Sequence, residues 1–133
     1  MIRELPKNSI KEFMRIAKDY LGVGKIPKDI KEFPSLCLGE YVQGKLVGII
    51  YGRLNGKTAI IEGLAVEKDF WGKGIGRKLV LAFEEKAKGL GAEESSVGAA
   101  TMPKDVTGFY ERLGYKRIED RNKYTIMSKN LKN

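Results

Sequence analysis

The chain has 133 residues, 42% of them hydrophobic and 32% charged, which is enough for one hydrophobic core and too few for two domains. We therefore expect a single domain over residues 1–133. Its 25 Lys and Arg against 17 Asp and Glu give a net charge of +8, which favours an anionic ligand, although a lysine-rich solvated surface gives the same excess. The absence of histidine excludes imidazole bases and His-ligated metals.

The single cysteine, Cys37, excludes an internal disulfide and predicts a reducing, cytoplasmic location. Its neighbours Leu36 and Leu38 are apolar, so we interpret this thiol as part of the core rather than as a nucleophile. No apolar run approaches the ~20 residues that span a bilayer, and we expect no membrane partner.

The N-terminal half begins with helical patterns and continues with extended ones. Apolar residues at helical spacing predict a helix over residues 9–21, and Pro27 begins a second, short helix that ends near Pro34. Three extended segments then predict an antiparallel meander with turns at Gln43-Gly44 and Asn55-Gly56; they cover residues 36–42, 45–54 and 57–66.

The C-terminal half returns to mixed patterns. One apolar face from Gly76 onward predicts a helix closed by Gly89 or Gly91. Further elements are predicted as a strand over 95–101, a helix over 103–113 and strands over 115–118 and 124–131. The fold class is therefore α+β: a mixed, mostly antiparallel twisted sheet flanked by helices, with one βαβ crossover.

Three alternate glycines separate the third strand from the long helix. Without a Cβ atom, the backbone amides of Gly72, Gly74 and Gly76 can lie against a ligand, and the helix N-terminus adds about half a positive charge. This arrangement suits a pyrophosphate, although a plain structural turn has the same glycines. Arg77 follows the last glycine, so the loop is not a P-loop, and the glycine spacing does not match the dinucleotide-binding fingerprint.

Two segments carry a family resemblance. Gly74-Ile75-Gly76 matches the glycine pair of a motif with Arg or Gln, two residues, Gly, one residue, then Gly or Ala, and residues 109–115 match Phe-Tyr-x-x-x-Gly-Phe with Tyr at the end. The chain resembles the GNAT superfamily of acetyl-CoA-dependent N-acetyltransferases, in topology over residues 36–131. It departs from the family at Trp71, where Arg or Gln is usual, and at Pro103, where many members have asparagine.

The resemblance implies a GNAT-like fold and transfer of an acetyl group from acetyl-CoA, as cosubstrate, to a primary amine of a small molecule or a protein. No metal is implied. It also implies a bulge that splays the strand ending at Val66 from the strand over 95–101, so that the pantetheine arm enters the gap and the Leu64 amide faces the thioester oxygen. The implied cofactor-binding residues are Leu64, Ala65, Val66, Gly72, Lys73, Gly74, Ile75, Gly76 and Arg77.

The resemblance also assigns an acid and a base. Deprotonating a lysine-like ammonium at pH 7 costs about 4.6 kcal/mol, and Glu62 matches the position where several members have a glutamate base. Strand alternation places Glu62 on the face of Ile60 and Leu64, which we expect to be the ligand cleft; an ordinary outward residue is the alternative. Tyr110 occupies the family's acid position, from which it would protonate the leaving thiolate, and simple helix packing is its alternative.

The acceptor and the rival functions stay open at this level. By resemblance, the acceptor enters between residues 20–35 and 119–123, where exposed acids can attract an ammonium or simply be solvated; these are Glu40, Glu119 and Asp120. The alternative function is a catalytically idle acyl-CoA sensor or interaction module. Nucleic-acid binding is disfavoured because the Lys and Arg residues are not interleaved with aromatics, and a homodimer is left open.

Overall fold

Seven strands and four α-helices make up the computed structural model, which describes residues 1–132. The strands are β1 (Ile2–Glu4), β2 (Cys37–Val42), β3 (Lys45–Asn55), β4 (Thr58–Val66), β5 (Glu94–Ala100), β6 (Lys116–Asp120) and β7 (Tyr124–Asn130). The helices are α1 (Ile10–Leu21), α2 (Asp29–Glu32), α3 (Ile75–Gly89) and α4 (Thr107–Arg112). Short 3-10 turns cover Lys7–Ser9, Pro34–Leu36 and Lys68–Phe70.

All seven strands belong to one sheet with the order β1-β2-β3-β4-β5-β7-β6. Only β4 and β5 run parallel, and α3 makes the crossover between them, whereas every other neighbouring pair is antiparallel. The predicted α+β class, the mostly antiparallel sheet and the βαβ crossover are therefore confirmed. The predicted meander is also confirmed, and its first turn has left-handed backbone at Gln43 (φ 50°) and Gly44 (φ 80°).

Each face of the sheet carries its own hydrophobic core. On one face, α1 packs against β3 and β4, with Phe13, Ile16 and Leu46 fully buried. On the other face, α3 packs against β2, β3 and β4, and Leu79 and Phe83 are buried there. Helix α4 contributes to the same core. The sheet thus separates an α1–α2 side from an α3–α4 side.

Two elements differ from the sequence prediction, and the structure decides between two alternatives at the end of α3. The helix predicted over 103–113 begins only at Thr107, because the Asp105 carboxylate accepts hydrogen bonds from the Thr107 amide (2.8 Å) and hydroxyl (2.6 Å) and so holds the preceding residues in an Asx turn. Strand β1 was not predicted, since three residues are too few to show a period. Of the two glycines proposed to close α3, Gly91 does so: its φ is 96°, and the Ala92 amide donates to the Ala87 carbonyl at 2.9 Å.

A β-bulge interrupts the pairing of β3 with β4. Tyr51 pairs with Gly63 and Gly52 pairs with Ile61, so Glu62 is the extra residue. Both glycines are required by space: a Cβ on Gly52 would lie 2.0 Å from the Ile60 carbonyl oxygen, and one on Gly63 would lie 2.4 Å from the Tyr51 ring. The extra residue reverses the alternation of β4, so that Ile61 and Leu64 both contact the α3–α4 core.

Beyond the bulge, β4 and β5 separate. They pair only over Thr58–Ile61 and Glu94–Val97, so the last residues of β4 are paired with β3 on one side and have no strand beside them on the other. The bulge and the splayed strands implied by the family resemblance are therefore present. We call the space between residues 62–66 of β4 and the end of β5 the gap.

Candidate active site

Main-chain groups of β4 line the gap. The Glu67 amide donates to the Val47 carbonyl of β3 at 2.8 Å, and because the Val66–Glu67 peptide is trans, the Val66 carbonyl points the opposite way, into the gap. Strand alternation turns the polar groups of Leu64 toward the gap as well and those of Ala65 toward β3. The Ala65 side chain is buried in the α1-side core. The main-chain polar groups of Leu64 and Val66 thus face the gap. Ala65, which the family resemblance groups with them, instead directs its polar groups to β3 and its side chain to the core on the α1 side.

The glycine loop presents free amides at the start of α3. The first backbone bond of the helix runs from the Lys78 amide to the Gly74 carbonyl at 3.1 Å, and within residues 1–132 the amides of residues 72–77 have no hydrogen-bond acceptor. Gly72 (φ 76°) and Gly74 (φ 78°) adopt left-handed backbone, and a Cβ on either would meet nothing within 4 Å. The loop is therefore open on its outer side, and its N–H groups are available to an anion.

Positive side chains surround these amides. Lys73, Arg77 and Lys78 are all exposed, and the Lys73 ammonium lies 5.2 Å from the centre of the Phe70 ring. In the described part of the chain, no carboxylate pairs with any of the three, although most other acidic groups have a basic partner. Free amides, a helix N-terminus and uncompensated cations together fit a diphosphate.

Helix α4 brings Tyr110 next to this loop. Gly76 has no side chain, and the position of its missing Cβ is 3.5 Å from the Phe109 ring, so α4 lies directly against the first turn of α3. Tyr110 is only 5% exposed, and its ring packs edge-to-face on Phe109 (5.0 Å between centroids) and Tyr115 (5.5 Å). Burial raises the pKa of Tyr110, and no other described residue hydrogen-bonds its hydroxyl. The hydroxyl is thus a proton donor without an internal acceptor.

Behind Tyr110 lies a buried polar network that the sequence reasoning missed. The Tyr115 hydroxyl donates to Glu84 Oε2 at 2.9 Å and is 2.7 Å from Ser95 Oγ, while Lys129 Nζ is 2.8 Å from Glu84 Oε1. Burial, more than any other cause, raises the pKa of Tyr115. The available sequence feature was Glu84 itself, an acid on the apolar face of α3. The network fixes the ring against which Tyr110 packs.

The predicted orientation of Glu62 is wrong. As the bulged residue, Glu62 lies on the α1–α2 side with Arg53, whose Nε is 2.8 Å from Glu62 Oε1, and not on the face of Leu64. Simple alternation failed here because the bulge adds one residue between Ile60 and Leu64. The Glu62 side chain is 37% exposed, so its carboxylate stays in contact with solvent.

Two further groups lie near Glu62 that the sequence did not single out. Asp29, at the start of α2, is 8% exposed; burial raises its pKa, the charge of Glu62 raises it further, and Arg53 opposes both. Tyr51 is buried beside Gly63, and burial raises its pKa as well. Asp29 belongs to the predicted acceptor wall over residues 20–35.

The acids weighed for ammonium binding are already engaged. Glu119 pairs with Arg121, and Asp120 accepts a hydrogen bond from the Thr125 hydroxyl at 2.9 Å, so both lie within the β6–β7 hairpin. Glu40, on β2, is buried, and its Oε2 lies 2.6 Å from the N-terminal amine of Met1. These contacts account for the three carboxylates without a ligand.

Trp71 occupies the position where the family motif has Arg or Gln. Its indole Nε1 donates to the Val66 carbonyl at 2.6 Å, and its ring meets Tyr20 edge-to-face at 6.5 Å. The Tyr20 hydroxyl in turn accepts a hydrogen bond from the Lys68 amide at 2.9 Å. The residue therefore lies at the mouth of the gap, between the glycine loop and the end of α1.

Three other observations concern the cysteine, metal binding and membrane spans. Cys37 is buried, donates to the Phe33 carbonyl at 3.6 Å, and has a pKa raised to about 12 by burial, as expected for a core thiol. Across residues 1–132, no three His, Cys, Asp or Glu side chains converge as a metal ion would need. None of the helices in that range combines the length and apolar character of a membrane span.

Comparison with known proteins identifies the family. Residues 5–115 match the model of the acetyltransferase (GNAT) family, and the chain belongs to that family. Acetyltransferase ECA0875 of Pectobacterium atrosepticum is 29% identical over 94 residues, which are 71% of this chain and 67% of that protein.

Solved structures share the whole fold. Ard1 from Thermoplasma volcanium superposes with a TM-score of 0.89 at 22% identity, covering 100% of this chain and 98% of that one. PaiA N-acetyltransferase from Thermoplasma acidophilum, solved with coenzyme A, gives 0.80 at 20% identity, covering 98% of each. Arabidopsis thaliana Naa50, solved with the bisubstrate analogue CoA-Ac-MVNAL, gives 0.83 at 17% identity, covering 98% and 97%. At these identities the likeness concerns the fold.

Proposed function

We propose that this protein transfers the acetyl group of acetyl-CoA to a primary amine by direct attack. The observation that carries the proposal is the gap beside Leu64 and Val66, which ends at the free amides of residues 72–77. A strand-like arm can pair with β4 there while a diphosphate lies on the helix N-terminus. Family membership supports this reading, as do fold neighbours solved with coenzyme A or a CoA-peptide analogue.

In this proposal the chain contributes mainly backbone groups to binding. The amides of residues 72–77, with Lys73 and Arg77, hold the diphosphate, and Leu64 and Val66 pair with the pantetheine amides. The Leu64 N–H also faces the thioester oxygen and stabilises the negative charge that develops on it.

The reaction then needs two proton transfers. The neutral amine nitrogen attacks the thioester carbonyl carbon, and the C–S bond breaks after the C–N bond has formed. Glu62 accepts the proton of the amine through water, because its carboxylate is solvated and paired with Arg53 rather than placed in the gap. The Tyr110 hydroxyl gives its proton to the leaving thiolate, because the hydroxyl stays protonated and has no acceptor among the other described residues.

The test combines binding with turnover. Calorimetry should detect coenzyme A binding. When acetyl-CoA is mixed with each amine of a panel, at least one amine should cause release of the free thiol. Tyr110→Phe should lower kcat by about 10²-fold or more with nearly unchanged coenzyme A affinity. The control is Tyr41→Phe on β2, which removes a hydroxyl that donates to Ser9 Oγ and should leave kcat unchanged.

Three outcomes separate the alternatives. Absence of coenzyme A binding would reject the proposed function altogether. Binding without thiol release for any amine would identify the idle acyl-CoA-binding module instead. Wild-type kcat in Tyr110→Phe would reject only the role of this hydroxyl. The cytoplasmic location and the homodimer stay predictions.

A further inference from the structure

An indole group satisfies the backbone acceptor that the proposed ligand would use. The Val66 carbonyl points into the gap, where no strand lies beside it, and Trp71 Nε1 donates to it at 2.6 Å. This contact satisfies the Val66 carbonyl in the free protein, and because it is exposed to solvent its net contribution is that of an ordinary hydrogen bond, which a ligand can replace. The same contact places an indole ring on the side of β4 along which an extended ligand arm would lie.

The Trp71 side chain is free to leave this position. It is 56% exposed, and among residues 1–132 the one aromatic ring that it meets is Tyr20, at 6.5 Å. Gly72, with φ 76°, follows it directly. The Lys68 amide is held by the Tyr20 hydroxyl at 2.9 Å, so the turn before Trp71 stays attached to α1. Release of the carbonyl therefore requires a movement of the side chain and not of the turn.

We propose that Trp71 is a specificity-determining residue that competes with the pantetheine arm for the Val66 carbonyl. The inference rests on the proposed function. Binding of a ligand with the arm exchanges one hydrogen bond of Val66 for another, whereas a ligand that carries only the nucleotide diphosphate leaves the indole in place. Trp71 thus lowers the affinity for the arm without affecting the diphosphate site.

The chain supplies its own probe, because Trp71 is its single tryptophan. Two ligands are compared: coenzyme A and 3′-phosphoadenosine 5′-diphosphate, which has the same phosphates and no pantetheine. Coenzyme A should shift the tryptophan emission and increase its quenching by acrylamide, while the nucleotide should bind with little change in either. This difference follows from displacement of the indole by the arm alone.

A variant provides the second readout. Trp71→Phe keeps an aromatic ring and removes the N–H donor, so its affinity for coenzyme A should rise by about two- to tenfold, the value of one exchanged hydrogen bond. Its affinity for the nucleotide should not change. The comparison variant Lys73→Ala should instead weaken both ligands alike, since Lys73 belongs to the diphosphate site.

Two results would contradict the proposed competition between Trp71 and the pantetheine arm. Coenzyme A that binds without altering the emission, or a Trp71→Phe variant that binds coenzyme A no more tightly than wild type, would overturn the competition while leaving the proposed function intact. Failure of both ligands to bind the wild-type protein would overturn the competition and the proposed function together.

Discussion

At the scale of single residues, Tyr110 illustrates how packing prepares a side chain for proton donation. Its ring is held between Phe109 and Tyr115, and Tyr115 is itself fixed by Glu84 and Ser95. The apolar surroundings disfavour the phenolate, so burial raises the pKa of Tyr110. The hydroxyl therefore keeps its proton in the free protein, and a leaving thiolate in the same apolar surroundings, whose basicity desolvation raises in the same way, can accept it.

The raised pKa has a consequence for pH dependence. A group with a raised pKa keeps its proton to higher pH, so Tyr110 remains a competent acid above the ordinary tyrosine value of about 10. We expect kcat at saturating substrates to show no fall between pH 8 and about 10. Rates measured across this range test the point, with coenzyme A calorimetry at each pH as the control for folding. A decline centred below the ordinary tyrosine value would contradict the assignment.

At the scale of elements, the gap is a product of the β3–β4 bulge. One extra residue on β4 increases the local twist and ends the pairing with β5 after Ile61. Gly52 and Gly63 make the bulge possible, because a side chain at either position would overlap a carbonyl or a ring. The geometry of the binding strand thus depends on two residues that contribute no chemistry.

Substitution of Gly52 tests this dependence. Gly52→Ala would bring a Cβ to 2.0 Å from the Ile60 carbonyl, so the strands must move apart, and we expect a loss of unfolding free energy of about 1–3 kcal/mol. Urea denaturation measures the change. The matched control is Gly24→Ala, where a Cβ meets nothing within 4 Å and the effect should stay within about 0.5 kcal/mol. Equal stability of the two variants would show that the bulge tolerates a side chain.

At the scale of the whole molecule, the net charge of +8 comes from basic side chains that have no acidic partner, and some of these lie at the glycine loop. Ten basic side chains are paired with acids, such as Arg53 with Glu62 on the surface and Lys129 with the buried Glu84, and the charges of each pair cancel. Lys73, Arg77 and Lys78 have no such partner in the described chain. Twelve other Lys and Arg residues of the described chain also lack a carboxylate partner, so these three are the part of the excess charge that lies where the proposed ligand carries its phosphates.

This distribution predicts a salt dependence. The three cations are exposed, so added salt screens their attraction for phosphate, with a Debye length of about 10 Å at 0.1 M. Coenzyme A affinity should fall several-fold between low salt and about 0.5 M NaCl. Titration calorimetry at several salt concentrations measures it, and the competition of Trp71 for Val66 should be unaffected. A salt-independent affinity would show that the amides alone hold the phosphates.

The order of elements could be predicted from sequence because most of them have a clear period and a clear end. The helix over 9–21, the meander and the glycine loop rest on local patterns that tertiary packing did not override. The orientation of Glu62 was different, since it depended on a bulge at which Gly52 approaches the Ile60 carbonyl of the neighbouring strand too closely for a side chain. The alternation of residues along one strand carries no information about such a contact between strands.

The same limit applies to the site. Family resemblance located Tyr110, Leu64, Val66 and the loop at residues 72–77, and the fold brings α4 and this loop together. The bond from Trp71 to Val66 and the burial of Asp29 lay outside the sequence prediction, because each joins residues whose proximity depends on how loops and helices settle on the sheet. Glu84 was the exception, as an acid inside an apolar stripe.

The orientation of Leu64 and Val66 has one more consequence. In the proposed function their peptide groups meet the ligand, while their side chains pack into the α3-side core. Recognition of this kind is indifferent to which apolar side chain is present, as long as the volume suits the core. The amino acids of this strand can therefore change during evolution while ligand binding is retained, because binding depends on the path of the main chain.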